Sequence, residues 1–296
     1  MSSLKFHTIG LIGRHSGDHV AETLMQLSDY FHGLGLEVIV DEGSADMLPG
    51  NKLEIVSRQV LGERSDLAIV VGGDGTLLTA ARTLVDSNTP LVGINLGHLG
   101  FLADISPVNM QECLDAILHG QYLTEERSLL EGHVHRGDDV LHNSIALNDI
   151  VVHKWNVARM IEIQTYIDGH FVSLQRSDGL IVASPTGSTA YALSAGGPII
   201  HPTLDALVIV PVCPQSMSNR PIVIGGDSQV KVVICEGNVN TVRMTCDGQI
   251  PFELRAGDAV HIRKKANPVQ LIHPRGHDHY EMLRAKLNWA ETPKRR

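Results

Sequence analysis

Between residues 8 and 95 the chain repeats one alternation: a short apolar run, then a segment whose apolar residues recur every three or four positions. "TIGLIG" reads as a strand, after which Val20, Leu24, Leu27, Phe31 and Leu34 share one helical face. "EVIV" reads as a second strand and "LEIVSRQVLG" as a helix. "LAIVV" and "LVGIN" supply two more strands, with a helical pattern from Leu77 to Val85 separating them. Met110, Cys113, Leu114, Ile117 and Leu118 make one further amphipathic helix. Strand and helix in alternation predict a parallel sheet covered by helices.

After Gln121 the period changes. "NSIALNDIVVH", "MIEIQTYIDG", "FVSLQ", "GLIVAS", "ALVIVPV", "PIVIG", "VKVVICEG", "VRMTCDG", "AVHIRKK" and "VQLIH" are short alternating or apolar runs separated by turn residues. "YIDGHF" is a hairpin signal. The pattern predicts an all-β, sandwich-like domain. The expected layout is an α/β domain over 1–120, a β-rich domain over 121–272, and a segment 273–296 that docks back on the first domain. The helical stretch Tyr280 to Trp289 in that segment is too small to stand alone.

The 296 residues suffice for about two domains. With 43% hydrophobic and 19% charged residues, the composition is that of an ordinary soluble globular chain. A formal net charge of −9 argues against a nucleic-acid partner bound by phosphate neutralisation. The N-terminus enters a strand pattern with no signal-peptide signature, and no apolar run approaches the ~20 residues of a membrane span. No nucleic acid and no membrane are expected as partners. Cys113, Cys213, Cys235 and Cys246 show no CxxC spacing, so buried thiols in a reducing, cytoplasmic compartment are expected. "HPRGHDHY" brings His273, His277 and His279 close in sequence, but there is no HExxH pattern. Solvated or hydrogen-bonded histidines are expected there, and no preformed metal site is predicted.

The chemistry concentrates in three stretches. In "LAIVVGGDGTLLTAART" a buried strand runs into Gly72, Gly73, Asp74, Gly75 and Thr76, then a helix. Glycines and a helix N-terminus suit phosphate, but a carboxylate repels it. Asp74 fits if it takes a proton from a hydroxyl or helps hold magnesium beside the phosphate; it also fits as a simple helix cap. "SDGLIVASPTGSTAYALSAGGP" carries Thr186, Ser188, Thr189, Tyr191 and Ser194, donors and acceptors of the kind that bind sugars and phosphates; a glycine- and serine-rich corner needs similar turn chemistry. In "LNDIVVH", Asn148 and Asp149 could hold the two hydroxyls of a ribose or form an Asx-type turn. The P-loop, the dinucleotide GxGxxG fingerprint and the protein-kinase motifs are all absent.

Taken together, "GGDGT", "NLGHLGFLAD", "LND", "DGLIVASPTGSTAYALSAGGP" and "CDGQ" resemble the NAD kinase family, in matching order along nearly the whole chain and closest to its proteobacterial branch. The resemblance implies an α/β domain followed by a β-rich domain, with the C-terminal segment returning to the first and the site between them. It implies transfer of the γ-phosphoryl group of ATP to the 2′-hydroxyl of the adenosine ribose of NAD, giving NADP. Magnesium would arrive largely with ATP. A homotetramer or homodimer is implied as well.

Carried over residue by residue, the resemblance makes Asp74 the catalytic base and an NAD contact, with Gly75 beside it. Gly72, Gly73, Gly75 and Thr76 form the turn for the phosphate donor. Asn148 binds ribose, and Asp149 stands where the family commonly has glutamate, one methylene shorter. Arg159 and Arg176 match positions near the nucleotide, and Asp178 one near the nicotinamide. Arg176 is expected to fix the Asp178 carboxylate and so favour NAD over NADH. Thr189, Ala190, Tyr191, Ala192, Leu193 and Ser194 match the loop around adenosine and ribose, and Gln249 a late contact. Leu96 and His98 depart from a segment that often reads "NRGNLGF" in relatives. Two alternatives remain: a lipid or sugar kinase sharing the "GGDG" turn, which leaves residues 178–198 unexplained, and a non-catalytic dinucleotide sensor, which has no need of Asp74.

Overall fold

A computed structural model describes residues 4–14, 18–48, 53–97, 100–155, 159–236 and 242–289. These form two compact units, one of residues 1–126 with 269–296 and the other of residues 127–268.

The first unit begins with β1 (Thr8–Gly13), α1 (Asp18–Gly33), β2 (Glu37–Asp41), β3 (Glu54–Val56) and α2 (Arg58–Arg64). It continues with β4 (Leu67–Gly72), α3 (Asp74–Leu84), β5 (Leu91–Asn95), α4 (Met110–Leu118) and β6 (Tyr122–Arg127). β1 lies parallel to both β2 and β4, and β4 lies parallel to β5. Every residue of β4 and β5 is buried, as a sheet covered on both faces requires. α1 packs Val20, Leu24, Leu27 and Phe31 into the core. Leu34, assigned to the same face, is 41% exposed because the helix ends at Gly33.

The expected helix over "LEIVSRQVLG" is divided. Its first part is β3, paired parallel with β2, because Ile55 and Val56 favour an extended backbone. The hydroxyl of Ser57 then accepts the Val60 N–H and starts α2.

The second unit runs through β7 (Leu130–Arg136), β8 (Asp139–Ala146), β9 (Asp149–Lys154), β10 (Ile161–Ile167), β11 (His170–Ser177) and β12 (Gly179–Ala183). A short helix α5 (Tyr191–Ser194) follows, then β13 (Ala206–Val212), β14 (Ile222–Gly225), β15 (Val230–Ile234), β16 (Val242–Cys246), β17 (Ile250–Leu254) and β18 (Ala259–Lys264). The strands make two six-stranded sheets, ordered β11-β10-β15-β18-β7-β8 and β14-β13-β12-β9-β16-β17. The pairings within them are antiparallel. One apolar core joins Val134, Ile163 and Val260 of the first sheet to Ile150, Leu180 and Met244 of the second. The other side chains of β9, β12 and β13 face a smaller core that includes Ala192 and Ile200. "YIDGHF" forms the expected hairpin, with Asp168 and Gly169 at φ of 50° and 80°.

"NSIALNDIVVH" is not one strand. β8 and β9 belong to different sheets, and the chain crosses between them at Leu147 and Asn148. The run "VQLIH" becomes β19 (Val269–Pro274), and it does not join the β-rich part as expected. It pairs parallel with β5 in the seven-stranded sheet β3-β2-β1-β4-β5-β19-β6. Leu271, Ile272 and His273 are buried in succession, which suits a strand covered on both faces. The chain then enters α6 (His279–Leu287), capped by Asp278. Of the cysteines, all free, Cys246 is buried but Cys213 is exposed, at a turn with φ of 45°.

Candidate active site

Asp74 stands in the first turn of α3, directly after β4. It does not cap the helix: the capping residue is Gly73, and no side-chain cap bond forms. Its carboxylate instead turns to the segment after β5. Oδ2 accepts the N–H of Phe101 at 2.8 Å, and Oδ1 accepts those of Leu102 and Ala103, both at 3.1 Å. Gly100 makes this approach possible, since a Cβ there would lie 2.0 Å from Oδ1. A carboxylate offers about four acceptor positions, so three amides fix its direction and leave about one for a ligand. Gly72 closes β4, and the Thr76 N–H binds the Gly73 carbonyl at 3.0 Å. Gly75 is exposed at the helix N-terminus, where amides and the helix dipole favour an anion. His98 lies outside the described residues.

The second unit holds a cleft of about 610 Å³ lined by Asn148, Asp149, Tyr191 and Gln249 among others. The turn after β16 organises it. Asp247 adopts a left-handed conformation with φ of 51°. Its Oδ1 accepts the N–H of Asn148 at 2.7 Å and of Asp149 at 3.2 Å, and Oδ2 accepts that of Leu147 at 3.0 Å. Its own N–H binds the Asp149 carbonyl at 2.9 Å. This one side chain therefore gathers the three successive amides of the corner where the chain changes sheets. Asp149 is 4% exposed, and burial together with the Asp247 charge pushes its carboxyl up to about 7.

The loop "SPTGSTAY" forms a 3₁₀ turn over Thr186–Thr189 before α5. Gly187 is forced by close approach, since a Cβ there would lie 2.0 Å from the Asn148 carbonyl oxygen. Several hydroxyls of this segment, the candidate donors Ser188 and Thr189 among them, are spent internally. Ser188 is fully buried; it donates to the Pro185 carbonyl at 2.6 Å and accepts the Ile200 N–H at 2.9 Å. Ser184 donates to the Leu147 carbonyl at 2.5 Å, and the Thr189 hydroxyl to the Thr186 carbonyl at 3.1 Å. The loop's aromatic residue does face the cleft: Tyr191 is 47% exposed. Burial, then the neighbouring Cys213, Asp178 and Asp149, raise its phenol.

The cleft thus gathers Asn148, Asp149, Ala190, Tyr191 and Gln249. Thr189, Leu193 and Ser194 are near in sequence but do not line it, and the Ala192 side chain belongs to the core. Arg159 and Arg176 are exposed. Asp178 is held by Lys154 Nζ at 2.7 Å, which corrects the expectation that Arg176 fixes it. Lys154 ends β9, whose neighbour is β12, and its amide binds the Asp178 carbonyl at 2.9 Å. Arg176 lies on β11, in the other sheet. Asp247, His153 and Trp155 are among the cleft residues that the sequence did not single out. Trp155 carries the Arg243 guanidinium 3.7 Å from its ring centroid. The Asp-Gly turn in "CDGQ" was the signal for Asp247; nothing local marked the tryptophan.

Known proteins resemble this chain over nearly its whole length. The family described as ATP-NAD kinase N-terminal domain matches residues 9–122, and that described as ATP-NAD kinase C-terminal domain matches residues 147–274. The chain is 51% identical over 285 residues to an NAD kinase of Nitrosococcus oceani, covering 96% of this chain and 97% of the relative. It is 50% identical over 286 residues to that of Marinobacter nauticus, covering 97% of each. Among solved structures, an NAD kinase from Archaeoglobus fulgidus in complex with ATP superposes with a TM-score of 0.72 at 26% identity, covering 94% of this chain and 99% of that one. The yeast NADH kinase complexed with NADH shares the fold, with a TM-score of 0.86 at 23% identity over 100% of this chain and 95% of that one.

Proposed function

The chain belongs to the NAD kinase family, and from that premise we propose how its residues divide the reaction. It is a phosphotransferase that moves the γ-phosphoryl group of ATP to the 2′-hydroxyl of the adenosine ribose of NAD, giving NADP. The observation that carries the division is the clamp on Asp74. Three amides orient the carboxylate and leave about one acceptor position. Asp74 takes the 2′-hydroxyl proton there, the oxygen attacks the γ-phosphorus, and ADP leaves. A positioned base of this kind contributes about 10²–10⁴ in rate. The turn of Gly72, Gly73, Gly75 and Thr76 at the start of α3 receives the donor phosphates.

Dinucleotide binding falls to the second unit. Asn148 and Asp149 meet the ribose hydroxyls, Tyr191 and Trp155 supply flat apolar faces for the bases, and Gln249 adds an amide. Asp178, set by Lys154, favours the cationic nicotinamide. Thr189, Ala190, Leu193 and Ser194 contribute as the loop that carries Tyr191, and Arg159 and Arg176 as exposed cations beside the nucleotide.

Magnesium accompanies ATP. Bound to the phosphates, it would neutralise charge that develops on the transferring group. Three of the acceptor positions of Asp74 are occupied by amides, so the residue fits a proton acceptor better than a metal ligand. Self-association is supported by Phe171, Val172 and Leu174, exposed on the outermost strand of a sheet. Four free cysteines suit a reducing cytoplasm. No helix among the described residues is long and apolar enough to cross a membrane, and the net charge of −9 disfavours nucleic acid.

The deciding experiment incubates purified protein with NAD, ATP and magnesium and measures NADP. Formation of NADP with loss of one ATP per product supports the reading. Phosphorylation of a lipid or sugar instead, or NAD binding without turnover, rejects it.

A further inference from the structure

In the first unit, two histidines converge on one carboxylate. β19 delivers His273, which is 1% exposed, and the turn before α6 delivers His277. Their rings stack with centroids 4.0 Å apart. The Nδ1 atoms of both lie 2.8 Å from the same oxygen, Oδ2 of Asp104. One ligand atom from each of the three residues lies within 4.8 Å of the others. Glu125 Oε2 sits behind His273, 3.4 Å from its Nε2. Asp104 Oδ1 and His273 Nε2 are buried without a hydrogen-bond partner.

Proton bookkeeping makes this arrangement awkward for neutral side chains alone. If both Nδ1 atoms carry hydrogen, both donate to Asp104 Oδ2. The Nε2 of His273 is then an acceptor facing another acceptor, the Glu125 carboxylate. A second proton on His273 would relieve that conflict: burial opposes it, but the hydrogen bonds to Asp104 and Glu125 outweigh burial and raise the pKa. It would still leave Asp104 Oδ1 orphaned. A metal ion relieves both. With Nδ1 unprotonated on both rings, the two nitrogens and the Asp104 carboxylate become ligands. The His273 proton moves to Nε2 and is donated to Glu125. A ligating imidazole whose other nitrogen donates to a carboxylate is the usual outer arrangement of a histidine metal site. The orphaned Oδ1 of Asp104 would gain a partner as a second oxygen ligand.

We propose that Asp104, His273 and His277 bind one first-row transition-metal cation of the zinc class, with Glu125 as the positioning carboxylate. Two imidazole nitrogens and carboxylate oxygen suit such an ion and not magnesium or calcium, which prefer oxygen alone. Ligands about 2.1 Å from zinc stand about 3.4 Å from one another in a tetrahedron, so the present 2.8 Å spacing has to open only slightly. The ion would tie the returning C-terminal segment to Asp104, the residue immediately after the three amides that hold Asp74. This cation is distinct from the magnesium that accompanies ATP.

The test uses the full chain, stripped with a chelator and titrated with zinc chloride in magnesium-free buffer by calorimetry. The expected result is one ion per chain with a Kd of about 1 μM or tighter. Glu125→Gln should weaken that by about 10- to 100-fold, as loss of an outer carboxylate does, and His277→Ala should weaken it at least as much. Zinc at 100 times its Kd should raise Tm by roughly 5 °C, and magnesium at the same concentration should not. Equal affinity in wild type and His277→Ala would mean adventitious binding to the other histidines and overturn the site. Cobalt titration of wild type needs no variant: strong visible bands of a tetrahedral ion support the site, and only weak bands of the hydrated ion reject it.

Discussion

Asp247 Oδ1 accepts the backbone N–H of Asn148 at 2.7 Å, across 99 residues of sequence. The same oxygen accepts the N–H of Asp149 at 3.2 Å, so one carboxylate both builds the corner and charges it. Burial and that neighbouring charge raise Asp149 from 3.8 to about 7. The folded chain then keeps a proton that the unfolded chain has released, so stability falls as pH rises from about 4 to about 7 and is level above that. We expect Asp149→Asn to remove this slope and to stabilise the protein at pH 8 by up to about 4 kcal/mol. Thermal unfolding across pH checks it; an unchanged slope would show that Asp149 titrates normally.

Activity should carry the same signature. Ionised Asp149 accepts hydrogen bonds from ribose hydroxyls, so kcat/KM for NAD should rise with a midpoint about pH 7. In Asp149→Asn that limb should vanish. Persistence of the limb in the variant would assign it to another group.

Asp74→Asn should keep the fold and lose about 100-fold or more in kcat. An amide offers its oxygen but not a second acceptor, so some of the three amide bonds must also break. Gly100→Ala is the sharper test, because it leaves Asp74 in place and pushes a Cβ to 2.0 Å from its Oδ1. We expect kcat to drop by at least about tenfold with little change in NAD affinity. Full kcat in Gly100→Ala would sever the clamp from catalysis.

Gly187→Ala places a Cβ 2.0 Å from the Asn148 carbonyl oxygen, a backbone atom that cannot swing away. The corner must shift, at a cost of about 2–3 kcal/mol. A Tm within a degree of wild type would show that the loop gives way without strain.

Selectivity for NAD over NADH should depend on Lys154 more than on Arg176, since Lys154 is the ion-pair partner of Asp178 at 2.7 Å. Lys154→Met should change the ratio of kcat/KM for the two cofactors several-fold, and Arg176→Gly should change it less. The opposite ranking, measured with both substrates on both variants, would return the role to Arg176.

The sequence by itself determined the elements with strong local periodicity and the segments with strong chemistry. The β4–α3 turn and its Asp74, the two-part architecture and the Asn148–Asp149 pair were legible, because the spacing of apolar residues and the residue types at a turn are local properties. Tertiary structure alone decided who partners whom. That Asp74 answers to the amides of 101–103, that Asp247 holds the 147–149 corner, and that Lys154 holds Asp178 depend on segments brought together by sheet register. "VQLIH" reads as one more strand of the β-rich run, yet it joins the parallel sheet beside β5. Ser188 reads as a ligand-binding hydroxyl, yet it is consumed by Pro185 and Ile200. A side chain's donors and acceptors are written in its identity, but whether they face a ligand or the backbone depends on what the fold places within about 3 Å.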